Sequence, residues 1–79
     1  MEIEVRLFAT LRDYLPQGSS QFSCKLQVKS TDTVGDVLRK LKVPDETPKI
    51  ILVNGIHSAL DSVFKSGDVL SVFPPVAGG

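Results

Sequence analysis

The sequence predicts an α+β domain in which one main helix packs across a small sheet. Three observations carry that prediction. Two stretches near the N-terminus alternate apolar and polar residues with the period of a strand. The segment "STDTVGDVLRKLKVP" carries apolar residues at helical spacing behind a capping signal. Asn54-Gly55 then interrupts an apolar run with a hairpin turn. At 79 residues there is room for one domain and one small core, because a chain this short buries only about 60% of its unfolded surface.

Residues 2–7 alternate: Ile3, Val5 and Leu7 point one way, and Glu2, Glu4 and Arg6 the other. This is the pattern of a half-buried strand. In "FATLRDYLP", Phe8, Leu11 and Leu15 fall at helical spacing before Pro16 and Gly18, so a short helical turn that stops at the proline is expected. Residues 22–28 alternate again, with Phe22, Cys24, Leu26 and Val28 expected inward and Ser23, Lys25 and Gln27 outward. The opposite charges on the two polar sides suit an antiparallel pair with one wet face.

Thr33 and Asp36 resemble a capping box with Asp in place of Glu. Val34, Val37, Leu38 and Leu41 form one apolar stripe, Lys40 and Lys42 are expected in the last turn, and Pro44 blocks continuation. Gly35 weakens the helix by roughly 1 kcal/mol against alanine, which suggests a close approach by another segment. "KIILVNGIHSAL" reads as a buried strand, a tight turn and a short returning strand. "SVFKSGD" reads as a loop and "VLSVF" as the last strand.

Composition excludes several function classes. Nine basic and nine acidic residues cancel and no basic stripe stands out, which argues against nucleic acid as a partner. No segment approaches the roughly 20 apolar residues of a membrane span, and "MEIEVRLF" lacks the features of a signal peptide, so a cytoplasmic address is expected. The single cysteine allows no internal disulfide and no cysteine-rich metal cage. Nucleotide-binding glycine motifs and H-E-x-x-H are absent, so no cofactor or metal is expected on this chain.

Side chains with chemistry of their own offer little. Cys24 falls on the apolar side of a strand, where burial raises a thiol's pKa and makes it inert. His57 has no second His or Cys to share a metal, Tyr14 reads as a packing residue, and Asp45 and Glu46 as solvated loop charges.

The C-terminus is different. Pro74 and Pro75 cannot donate to a sheet ladder, so the last strand must stop at Phe73 and the chain must leave as a stiff spacer. Val76, Ala77, Gly78 and Gly79 follow with almost no side chain. Six extended residues reach roughly 20 Å, enough to thread a partner's active site while residues 1–73 stay outside. Glycines pass a narrow channel and accept backbone angles that other residues cannot. The Gly79 α-carboxylate is ionised and unreactive at neutral pH, so acyl chemistry requires activation, most simply as a mixed anhydride with AMP. The ATP and magnesium for that step must belong to another protein. A frayed end on a plain binding module is the competing reading.

On these residues the chain resembles a known family. The order of elements resembles the β-grasp fold of ubiquitin, a mixed sheet with one main helix. "FATLRDYL", "TVGDVLRKL", "VNG" and above all "SGDVLSVFPPVAGG" resemble the MoaD/ThiS-like sulfur carriers, especially molybdopterin synthase small subunits. The resemblance implies a carrier protein, not itself an enzyme. A ubiquitin-activating-enzyme-like adenylyltransferase would convert Gly79 to an acyl-adenylate, and sulfur would displace AMP to leave a thiocarboxylate. A large synthase subunit or another acceptor enzyme would receive the sulfur. Gly78 and Gly79 carry over as the reactive end, and Pro74, Pro75, Val76 and Ala77 as the threaded segment. Phe8 and Phe73, each at a strand end, are candidates for an apolar docking patch. "KVPDETPK" is shorter than the corresponding region of many molybdopterin synthase small subunits. Carriers for thiamine, cysteine or tRNA thiolation, and a protein modifier joined through Gly79 to lysines, therefore stay open.

Overall fold

Strand β1 (Glu2–Leu7) lies near the middle of the sheet, with antiparallel β2 (Ser23–Gln27) on one side and β5 (Val69–Phe73) parallel to it on the other. This is a computed structural model, and it describes residues 1–75. Beyond β5 lie β3 (Ile50–Val53) and the two-residue edge strand β4 (Ile56–His57), giving the order β2-β1-β5-β3-β4. All pairings but β1–β5 are antiparallel, so the sheet is mixed, as the β-grasp resemblance implies.

Ile3, Val5 and Leu7 of β1 and Leu70 and Val72 of β5 point to one face, fully buried. Helix α1 (Val34–Lys40) covers that face with Val34, Val37 and Leu38, and Leu41 joins them. The expected capping box is complete. The Thr33 hydroxyl accepts from Asp36 N–H at 3.1 Å, and the Asp36 carboxylate accepts from Thr33 N–H at 3.0 Å. Gly35 is where the chain runs closest. Its N–H donates to the Leu60 carbonyl at 2.8 Å, and a Cβ there would lie 3.3 Å from that same oxygen.

Two sequence expectations change. The helix ends earlier than the apolar stripe suggests, and Lys42 falls outside it; Arg39 and Lys40 occupy the last turn. The reason is a Schellman closure. Val43 N–H bonds the Leu38 carbonyl and Lys42 N–H the Arg39 carbonyl, with Lys42 at φ +68°. Phe22 does not join the core. The chain bends at Gln21 and Phe22, β2 starts at Ser23, and the ring is 39% exposed. Within the "SVFKSGD" loop, Phe64 turns inward and is 4% exposed. Asp45 and Glu46 are exposed loop charges, as expected, and Asp45 pairs across the surface with Arg39 at 3.2 Å.

The short helical turn after β1 is a 3₁₀ segment, Ala9–Tyr14, whose Leu11 is buried. The Asn54-Gly55 turn has φ +53° and +81° and joins β3 to β4 as expected. The Asn54 side chain also ties the turn to β5, donating to Asp68 Oδ1 and accepting from Val69 N–H, both at 2.9 Å. Among the described residues no helix is long and apolar enough to cross a membrane.

Candidate functional site

β5 brings the chain to the point where the tail departs. It runs through the sheet between β1 and β3, and its last residue, Phe73, pairs with Ile50. Pro74 follows half-buried and Pro75 exposed. Neither has an N–H to extend the ladder, which is the physical reason that strand pairing ends there.

Alternation turns Phe73 away from the helix, since its neighbour Val72 is buried. The same logic applies to Phe8, next to buried Leu7. The two rings stack nearly parallel, with centroids 4.4 Å apart and planes 5° apart. Phe8 is held there by its N–H, which donates to the Val72 carbonyl at 3.2 Å. Phe22 stacks on the other side of Phe8 at 5.3 Å and 25°. Three rings from three segments thus form one ridge, Phe22–Phe8–Phe73, whose last member immediately precedes the prolines.

The structure therefore brings together both aromatic residues expected at a docking patch and adds a third. Phe22 escaped the sequence reading because its alternation with Cys24 and Leu26 mimics a core position; only the bend at Gln21 and Phe22 removes it. Val76, Ala77, Gly78 and Gly79 lie outside the described residues.

Among the described residues, the other groups with chemistry of their own stand apart. Cys24 borders an open groove of about 410 Å³ with Pro16, Gly18 and Ser19. Burial pushes its thiol up from the ordinary value, against an opposing contact with the Ser19 hydroxyl and with help from the Glu4 charge. A thiol so shifted is a poor nucleophile at neutral pH. His57 is exposed on β4. Among the described residues, no three of His, Cys, Asp and Glu cluster closely enough to hold a metal ion. Asp32 and Asp36 are held below the ordinary carboxylate range, chiefly by backbone N–H donors from Lys29 and Thr33, and both serve local structure at the start of α1.

A β-grasp sheet whose central strand runs out at two prolines beside an apolar ridge defines the molecule as ubiquitin-like. The family model "Mut7-C ubiquitin" matches residues 1–78, and the chain belongs to that family. It is 36% identical to small archaeal modifier protein 3 of Haloferax volcanii, over all of both chains. Among solved structures, SAMP1 of Haloferax volcanii superposes with a TM-score of 0.76 at 29% identity, again over the whole of both chains. The fold is also shared with a complex of subunits 1 and 2 of molybdopterin-converting factor from Helicobacter pylori, at a TM-score of 0.64, 22% identity and full coverage of both chains.

Proposed function

We propose that this protein is a carrier whose Gly79 carboxylate is the reactive group and whose Phe22–Phe8–Phe73 ridge docks the enzymes that act on it. The observation that carries this reading is the placement of the ridge at the root of the tail. From Pro74, six residues span roughly 20 Å, so any active site that reaches Gly79 has its enzyme close to those rings.

The chain itself catalyses nothing. An adenylyltransferase of the ubiquitin-activating type, with its own ATP and magnesium, joins the Gly79 carboxylate to AMP and releases pyrophosphate. A sulfur nucleophile then displaces AMP and leaves a thiocarboxylate. The thiocarboxylate passes its sulfur to an acceptor enzyme, and the molybdenum cofactor pathway is the acceptor we favour. There this chain works in the cytoplasm as the small subunit beside a large synthase subunit. The assembly of subunit 1 with subunit 2 in the Helicobacter pylori protein supports that reading through the fold alone.

A second reading is favoured by a specific observation, the relative called a small archaeal modifier protein. The same adenylate is then captured by a lysine amine, which gives an isopeptide bond to another protein. Intact mass spectrometry of protein recovered from its own cells separates the two. A mass gain matching oxygen replaced by sulfur at Gly79 supports the carrier. Lysine-linked conjugates without it support the modifier. Deleting Gly79, or adding one acidic residue after it, should abolish both products while leaving the thermal midpoint unchanged; sulfur donation by either variant would sink the mechanism.

A further inference from the structure

Between α1 and β3 the chain forms a cup of backbone carbonyls. Lys49 Nζ donates to the Thr47 carbonyl at 2.6 Å, to Asp45 at 3.1 Å and to Pro44 at 3.3 Å. Three carbonyl oxygens converging on one ammonium is the chemistry of a monovalent-cation site, with the cation tethered to the chain. No carboxylate of the described residues lies within ion-pairing distance of Lys49, so the ammonium is met by carbonyl dipoles. The same loop is tied on its other side to the helix, through Asp45 and the Arg39 guanidinium at 3.2 Å. Its Thr47 N–H also bonds the Pro44 carbonyl at 3.1 Å.

The position of this cup matters because of what comes next. Lys49 immediately precedes β3, and Ile50, the first residue of β3, pairs with Phe73 at the root of the tail. The geometry points to Lys49 as a positioning residue: its ammonium acts as a built-in cation that orders the Pro44–Thr47 loop and so fixes Ile50 against Phe73. The inference depends on the proposed function only in calling the ridge a docking surface. Its structural part stands or falls separately.

The test compares the full chain with Lys49→Met and Lys49→Arg by amide hydrogen exchange and by the NMR signals of the Phe8 and Phe73 rings. In Lys49→Met, the amides of Asp45, Glu46, Thr47, Lys49 and Ile50 should exchange at least about tenfold faster, and the Phe73 ring signals should shift. Lys49→Arg, which keeps a charged donor, should retain most of the protection. Ammonium chloride should restore Lys49→Met toward the wild type, whereas tetramethylammonium chloride at equal ionic strength, which cannot donate a hydrogen bond, should not. Unchanged exchange in Lys49→Met would overturn the proposal. So would loosening confined to 45–47 with Phe73 unmoved, an equal response to both salts, or a loss in Lys49→Arg as large as in Lys49→Met. These readouts need no partner enzyme, so their failure leaves the Gly79 chemistry untouched.

Discussion

Lys42 holds a backbone position that suits glycine. It follows the helix C-cap Leu41, at φ +68°, and its Cβ crowds the adjacent backbone there. Lys42→Gly should therefore stabilise the protein by about 1 kcal/mol and raise the thermal midpoint by roughly 4–8 °C. A lower midpoint would show that the exposed lysine makes a contribution the backbone geometry does not reveal. Asp36 makes a second residue-scale prediction. Its carboxyl is held below the ordinary 3.8 by the Thr33 N–H and hydroxyl, so folding favours the charged form. Its contribution is thus fully present above pH 3.8 and is lost as pH falls through the lower value of the folded state. Asp36→Asn should melt below the wild type at pH 7, and the gap should narrow as the pH falls below 3.8. A gap that stays constant with pH would remove the carboxylate from the explanation.

At the scale of elements, the aromatic ridge is assembled from the end of β5, the residue after β1 and the residue before β2. The Phe8 ring lies between the other two, so truncating it would disturb packing as well as docking. Phe22 is the cleaner probe because its ring sits at the exposed end. Phe22→Ala should raise KM for the carrier in the adenylation reaction about tenfold, equivalent to roughly 1–2 kcal/mol, with kcat nearly unchanged. An unaltered KM would take Phe22 out of the docking surface. Much of this level was legible in the sequence. Alternation in residues 2–7, the Thr33 and Asp36 pair, the Asn54-Gly55 turn and the Pro74-Pro75 stop are local signals, and local physics decides each of them. What escaped depends on distant partners. Phe64 is buried from within a loop because that loop lies against α1, with the Ser62 carbonyl accepting from Val34 N–H at 2.8 Å. Phe22 resembles a strand residue until the bend before β2 turns it onto Phe8. The lysine cup leaves no trace in composition or period, since its acceptors are all backbone.

For the whole molecule, the decisive pairing joins the first strand to the last. β1 and β5 lie side by side and parallel, and no periodicity within either strand announces that neighbour. The family resemblance implied the mixed sheet; strand patterning and the Asn54-Gly55 turn gave only the antiparallel β1–β2 and β3–β4 pairs. Among the described residues, the fourteen buried apolar ones run from Ile3 to Val72, so one core joins both ends of the domain. The candidate site was legible in the same uneven way. Its prolines and two of its three rings were readable from position, whereas their stacking and the third ring are products of the closed sheet.

The central placement of β5 also has a mechanical meaning. An enzyme that grips the chain beyond Pro75 and draws on it transmits the load along β5, which is bonded to β1 on one flank and β3 on the other. Such a pull loads two ladders in shear, so many bonds must give way together. A tail hung from β2 or β4 would let the strand peel off one bond at a time. A domain so held would keep its fold under a pull applied beyond Pro75.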